Sequence, residues 1–555
     1  MEYHEQRATG AIYCAPTPAG QQLAGVCAAN RRNIAPLRPR GNELERWLNH
    51  SIRTSQAARR GAGITLDHVW LAAALLLIAL RPLLTPIPPN DFWWHLATGR
   101  IIATSGAIPV LDSFSYTRAG QPFFNQGWLA QLLMYALYQL GGIPLILLVQ
   151  ALVIALAYGL LLRLCIRRTG RPRLSVGLLL LTTLPLSFTN WIVRPQSYAL
   201  PLFAAFLLIL TEYRLGLGRR LWLLPPIMAL WVNIHGTFVL GLALVAVTFA
   251  SMAVGRAESQ ESTAGASFAP RPRFSALGPL ALWGALTGAA VLLNPRGLGV
   301  LAYVRNLLGS SAVTTLVTEW APPTTRDLEG TIFFLFVLLC GAVLAYSRRP
   351  ALADMLLFGA FLWLALGASR NVVWFGMVAT PLLISQAAGL LGERGRASSA
   401  GSPLLNGTLI GMLGLLVILA LPWVKPALGL PPPVGALLAE DTPVAAVAFL
   451  RAQPERPRHL FHSEAYGSYL IWAAPEQPVF VDTRIELYPF EQWRDYINLG
   501  QGNNVGALLA KYGIDGLLLS VKQQSPLIDA IRAAGGWHER YRDAQTVYFT
   551  RDGGQ

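Results

Sequence analysis

The sequence predicts a polytopic α-helical membrane protein of about 11 spans, with two surface helices in its first external loop and a C-terminal external α/β domain. Three observations predict it. Of the 555 residues, 53% are apolar and only 13% charged, against about 25% charged in a soluble domain, and the mean hydropathy is +0.43. Runs such as "VWLAAALLLIALRPLL" (69–84) and "GTLIGMLGLLVILALPWV" (407–424) approach the ~20 residues that cross a bilayer core of ~30 Å. The charge is also lopsided. Residues 1–423 hold 32 basic and 15 acidic residues, net +17, and residues 424–555 hold 12 and 14, net −2. The arginines cluster in short loops between apolar runs, which is the positive-inside pattern of a membrane protein. A nucleic-acid partner is therefore not expected.

The elements follow in chain order. Residues 1–60 carry nine arginines and no apolar signal-peptide core, and read as a cytoplasmic tail. Arg59-Arg60 precede the first span (about 66–84), so the N-terminus is expected inside and loop 85–142 outside. Helical stretches near 91–104 and 126–140 are too short to span and are expected on the membrane surface, with Trp93 and Trp94 at headgroup level. The next span (143–166) ends at the internal "RRTGRPR" (167–173), and spans near 174–191 and 197–213 follow. The 221–255 run is long for one span and short for two. Splitting it at "NIHG" (233–236) keeps Arg256, Arg271, Arg273 and Arg348-Arg349 inside. Spans near 275–293, 331–347, 351–368, 372–391 and 404–422 complete eleven within a transmembrane domain at 61–423, which leaves the C-terminus outside.

A proline-rich linker (424–435) leads to the α/β domain (436–555). Helix-like "PVAAVAFLRAQ" (443–453) precedes strand-like "HLFHS" (459–463) and "PVFVDTR" (478–484). Helical "EQWRDYINL" and "VGALLAKYG", strand "IDGLLLS" (514–520), helix "PLIDAIRAAG" (526–535) and a strand around "TVYFTR" complete the alternation of a layered sheet. The four cysteines, Cys14, Cys27, Cys165 and Cys340, supply no disulfide framework. No Gly-rich phosphate loop or zinc-type Cys/His spacing occurs.

Polar residues at the external ends of apolar segments are the candidates for chemistry. On a helix starting near Asp91, residues 91, 95 and 98 share one face, so Asp91, His95 and Thr98 point one way while Phe92, Trp93, Leu96 and Ile101 can face lipid. A carboxylate held beside the bilayer can accept a proton from a hydroxyl; its plainer role is a helix cap. Asp112 in "IPVLDSFSYT" suits a turn or a site. Asn233 and His235 sit in the break of the 221–255 run, where a helix-end pair is the plain alternative. Glu319 lies between spans. Arg194 and Arg370 lie at external span ends, against the charge bias, where a lipid phosphate is the natural partner and snorkelling to headgroups the alternative.

Several blocks add a resemblance. "NDFWWHLATGRIIATSGAIPVLDSFSYT" (90–117), with "RPQSYALPL" (194–202), "LWVNIHGTF" (230–238) and "EAYGSYLIW…PVFVDTRIELY" (464–488), resembles the GT-C membrane glycosyltransferases. Members include protein O-mannosyltransferases, aminoarabinose transferases of lipid A and the catalytic subunit of oligosaccharyltransferase. The first block looks like their Asp-led first-loop motif, and the others look like blocks of a bacterial branch. The resemblance spans about residues 66–550. It implies an inner-membrane enzyme whose donor is a sugar on a polyprenyl phosphate and whose acceptor is an extracytoplasmic hydroxyl on a lipid, glycan or protein. In that scheme Asp91 is the general base, with His95 beside it as an orienting group. Arg194 and Arg370 would offset the charge of the leaving lipid phosphate, and Asp112, Asn233, His235 and Glu319 are the further substrate-binding candidates. The first loop has no DxD, which leaves a divalent cation open and without that motif's support, and "EAYGSYLIW" departs from the WWDYG block, so a peptide acceptor is not supported.

Two other classes compete. A transporter or lipid flippase would place charges at the bilayer midplane and show a two-fold repeat of spans, and no internal repeat is found. A non-catalytic scaffold would tolerate any replacement of Asp91.

Overall fold

The computed structural model describes residues 63–261, 276–309, 311–392 and 401–551. The expected cytoplasmic tail, Cys14, Cys27 and the Arg271/Arg273 loop lie outside the described residues. Each of the eleven apolar segments contains helix. Five helices are long and apolar enough to cross a membrane: Leu66–Leu84, Trp128–Thr169, Pro195–Arg214, Leu328–Tyr346 and Ser369–Leu390. Six apolar helices are shorter, at Pro172–Thr183, Leu221–Trp231, Phe238–Val254, Leu277–Leu293, Leu352–Gly367 and Pro403–Leu419. This is the make-up of a polytopic helical membrane protein.

Local chemistry sets the irregular points. The helix expected at 126–140 runs into the next apolar segment as Trp128–Thr169, with a kink at Gly141-Gly142. Gly142 has a φ of 62°, a conformation that suits glycine, and Pro144 follows it. The expected span at 174–191 is not one regular helix. It is α over Pro172–Leu178, a π turn over Leu179–Thr183 and 3₁₀ over Pro185–Asn190. Thr183 and Thr380 hydroxyls meet there, and the π turn absorbs the extra residue. The 221–255 run does break, at 232–237, between Leu224–Trp231 and Phe238–Glu261.

The bundle has two chemically distinct ends. At one, Arg168 Nη2 lies 2.6 Å from Asp354 Oδ2, Arg214 contacts the same carboxylate, and Arg173 Nε lies 2.6 Å from Asp67. Arg194 stands at the other end of the Pro195–Arg214 helix, 20 residues or about 30 Å away. Near that end Lys425 Nζ donates to Leu83 O at 2.8 Å, closing the first long helix. The proline-rich segment is then pinned, because Ile87 and Ala439 N–H groups bond to Leu437 O and Ile87 O at 2.9 Å.

Residues 443–551 build the α/β layer. Its sheet has β1 (Leu460–His462), β2 (Gly516–Ser520), β3 (Trp537–Arg542) and β4 (Thr546–Arg551) in the order β1-β2-β4-β3. β1 and β2 are parallel, with Phe461 opposite Leu517, and the remaining pairs are antiparallel. β2 is buried along its length, as its unbroken "GLLLS" requires.

Two expectations are corrected here. Residues 478–484 do not join the sheet. Val479 pairs instead with the first loop, its N–H donating to Phe114 O at 3.0 Å while Tyr116 N–H donates to Val479 O at 3.1 Å. Val479, Phe480, Val481 and Asp482 are all buried, and the first loop supplies the backbone partner of Val479. Second, Phe92, Trp93 and Leu96 face protein instead of lipid, with Trp93 only 3% exposed. The Glu464–Ala473 helix lies on them, and Trp93 meets Tyr469 edge to face at 4.9 Å.

Candidate active site

Two glycines let the backbone close around one point. A Cβ on Gly99 would sit 2.1 Å from Gln131 O. The Asp91–Ser105 helix therefore lies directly on the Trp128–Leu140 stretch, and Gln131 Nε2 reaches 3.1 Å from His95 Nδ1. With the amide donating, Nδ1 accepts and the ring proton sits on Nε2. A Cβ on Gly467 would sit 2.2 Å from Val481 O, so the Glu464–Ala473 helix rests on the 479–484 segment. Its first residue, Glu464, thereby lines the same space as Asp91.

That space is a cavity of about 710 Å³. Asp91, His95, Arg194, His235, Glu319 and Arg370 all line it, although they come from five separate stretches of chain. Six of the eight residues singled out from sequence are thus brought together. Asp112 and Asn233 are not among the lining residues. Asp112 is buried and lies 2.8 Å from Arg484 Nη1, and it accepts from the Ser115 hydroxyl at 2.6 Å. Asn233 ties helix ends, accepting from Trp128 Nε1 at 2.8 Å and donating to Ala229 O at 2.8 Å.

The N-cap position is 90, not 91, and its side chain makes no cap hydrogen bond. Asn90 is the N-cap residue and Asp91 the first helical residue, leaving the carboxyl free of a capping role. Burial pushes the Asp91 carboxyl above the usual carboxylate range, against the pull of Arg194 and a Thr483 hydrogen bond. Burial, then Arg194 and Arg484, holds the His95 imidazolium well below its ordinary value, so His95 is neutral at pH 7. Its ring lies tilted by 37° against Trp94, with the centroids 3.6 Å apart. His235 is held neutral too, by burial and then Arg370, Arg194 and His95. Its Nδ1 accepts from Thr237 N–H at 3.2 Å, a helix-end contact that leaves the ring on the cavity wall.

The two arginines differ. Arg194 Nη1 is taken up by both Glu319 oxygens, at 2.8 and 3.1 Å. Arg370 donates to the neutral Gln196 Oε1 at 3.1 Å and stacks 4.6 Å over Trp320, and it has no carboxylate ion pair among the described residues. The Trp94 indole N–H approaches the Asp91 carboxyl, whereas Arg194 Nε, buried on the wall, has no hydrogen-bond partner. Buried donors are rarely left so, and a ligand oxygen would satisfy it.

Sequence reasoning missed Glu464, Thr483, Glu486 and Tyr303, which also line the cavity. Three of the four lie in the quoted 464–488 blocks, which were noted for resemblance and not for chemistry. Burial raises the Glu464 carboxyl to about 7, with Asp91 and Asp482 adding to the effect, and burial raises Glu486. Beneath this wall Arg484 forks onto Asp482 at 2.8 and 2.6 Å, and Tyr488 donates to the same carboxylate at 2.6 Å. No group of three or more His, Cys, Asp or Glu side chains among the described residues is arranged to hold a metal ion.

No protein-family model and no curated protein matches the chain. Among solved structures it is similar to the crystal structure of ArnT from Cupriavidus metallidurans bound to undecaprenyl phosphate. The TM-score is 0.46 and the identity 14%, over 87% of this chain and 98% of that chain.

Proposed function

We propose that the protein is a membrane glycosyltransferase that moves a sugar from a polyprenyl-phosphate donor to an extracytoplasmic hydroxyl, with Asp91 as the general base. The observation that carries this is one cavity holding an uncapped carboxyl, a cation without a carboxylate partner and an apolar side. Arg370 suits the phosphate, since a guanidinium binds phosphate through charge-assisted bonds. Val239, Leu240, Val304 and Leu307 suit the first units of a prenyl chain. Asp91 takes the acceptor proton as the acceptor oxygen bonds to the sugar C1 and the C1–O bond to phosphate breaks. Arg370 offsets the charge left on the phosphate. Neutral His95 donates through Nε2 and orients the reacting groups. The sequence blocks that resemble GT-C enzymes support the same scheme. Incubating the purified protein in liposomes with polyprenyl-phosphate sugars tests it: the reading requires sugar transfer and release of polyprenyl phosphate. A donor that crosses the bilayer unconsumed would make the protein a flippase instead.

Because Arg194 is already held by Glu319, the two arginines should respond differently. Arg370→Gln is expected to weaken donor-lipid binding about tenfold or more, the size of a lost charge-assisted hydrogen bond, and Arg194→Gln less. Equilibrium binding of donor lipid in detergent checks this, and wild-type affinity in Arg370→Gln would leave that residue a packing group on Trp320.

The eleven-span arrangement, with the basic Arg168–Asp354–Arg214 end in the cytoplasm, belongs to the same proposal. It puts the cavity and the α/β layer outside. A reporter active only in the cytoplasm, fused after residue 555, should therefore stay silent, and strong activity would invert the orientation.

A further inference from the structure

We propose that Glu464, contributed by the α/β layer, is the proton partner of Asp91: it takes up the proton that Asp91 removes from the acceptor. This rests on Asp91 being the base and adds a second acid–base group to the site. Within the cavity the acidic side chains are Asp91, Glu319, Glu464 and Glu486, and the basic ones Arg194 and Arg370. Arg194 Nη1 is engaged by Glu319. Four carboxyls thus share two arginines around the cavity, so it carries more negative charge than it can hold fully ionised in a low dielectric. A buried carboxyl near another carboxylate holds its proton more tightly, and Asp91 acts on Glu464 in this way.

The geometry selects Glu464 for the second place. Gly467, one turn along, brings its helix onto the Val481 carbonyl, and Tyr469 holds that helix against Trp93 of the Asp91 helix. The Glu464 N–H donates to Tyr496 Oη at 2.8 Å, which fixes the residue at the cavity edge. Asp91, Asp482 and Tyr496 face it from the neighbouring elements, with Glu486, Arg194, Arg370, His95 and His235 elsewhere around the site.

The step balances without another reactant. The acceptor O–H bond breaks and its proton passes to the Asp91 carboxylate. The acceptor oxygen bonds to C1 as the C1–O bond to phosphate breaks, and the electron pair leaves on the phosphate. The proton then moves from the Asp91 carboxyl to the Glu464 carboxylate and on to water, restoring both. Glu464 can accept only when ionised. Wild-type transfer should therefore rise with pH along an acid limb near 7, the value to which burial raises this carboxyl.

The test pairs activity with infrared titration of protonated carboxyl groups in the full-length protein. Wild type should show a protonated carboxyl that ionises near pH 7, absent from Glu464→Gln. Glu464→Gln should also lower the transfer plateau about tenfold or more and move the acid limb to lower pH, because Asp91 loses a like-charged neighbour. Glu464→Asp should restore both in part, which excludes simple misfolding. If Glu464→Gln keeps the wild-type infrared titration and pH profile, the proposal is overturned. If Asp91→Asn transfers normally, the base assignment fails instead, and the infrared titration still reports on Glu464 by itself.

Discussion

Asp91→Asn is expected to lower sugar transfer by at least ~10²-fold at matched protein levels, because it removes the general base and little else. Asparagine keeps the size of the side chain, and the N-cap is Asn90, so no capping interaction is lost. The helix is held from other points. Trp93 Nε1 donates to Pro88 O at 3.1 Å, and Gln131 holds His95. The residual activity should also lose part of its pH dependence. Burial raises the Asp91 carboxyl, and a base works only when ionised, so the wild-type rate falls as pH drops through that raised value and is retained above it. Initial rates of labelled-sugar transfer against pH, for wild type and variant, check both statements. Wild-type turnover by Asp91→Asn would leave the carboxyl without a catalytic role.

The largest loss of stability is expected at Arg484, which is 2% exposed on its side chain and joins Asp112 of the first loop to Asp482 of the α/β layer. Burial alone would raise the Asp482 carboxyl, but the Arg484 fork and the Tyr488 hydroxyl bring it below its ordinary value. Arg484→Met would leave two carboxylates buried without their cation, which destabilises by about 3–5 kcal/mol. Replacing all three charges together, with Asp112→Asn and Asp482→Asn added, should recover much of that loss, since neutral groups carry no unpaired charge. Thermal unfolding in detergent measures this as a fall in Tm for the single variant and a smaller fall for the triple. An unchanged Tm in Arg484→Met would mean that the loop and the layer are held by apolar packing alone. Arg484 also lies 5.9 Å from the Trp94 ring centroid and 5.0 Å from that of Phe123, so its loss should loosen the cavity wall.

Contrast decided what could be read from sequence. In the apolar segments a polar residue stands out, so Asp91, His95, Arg194, His235, Glu319 and Arg370 were visible one at a time, and folding places all six around one cavity. In the α/β region charged residues are common, and nothing set Glu464 or Glu486 apart from their neighbours. Their importance depends on where Gly467 lets a helix settle, which a linear pattern does not encode. The same limit explains Trp93. An apolar face specifies burial but not whether lipid or protein provides it, and here the Glu464–Ala473 helix covers it. Residues 478–484 were expected as a sheet strand, but an apolar run does not name its partner, and only Val479 pairs, by a single bridge to the first loop. The break at "NIHG" was legible because the 221–255 run is long for one span and a split there keeps the arginine loops on one side; Asn233 and His235 both serve to close helix ends.

The most direct test of the glycosyltransferase account does not require the sugar to be known beforehand. Mass spectrometry of membrane extracts from a strain lacking this protein should show a polyprenyl-phosphate-linked sugar accumulating, because its consumer is gone. Wild-type protein should abolish the accumulation, and Asp91→Asn, expressed to the same level, should not. No accumulation in the deletion strain, or full relief by Asp91→Asn, would contradict a lipid-linked sugar transferase with Asp91 at its centre.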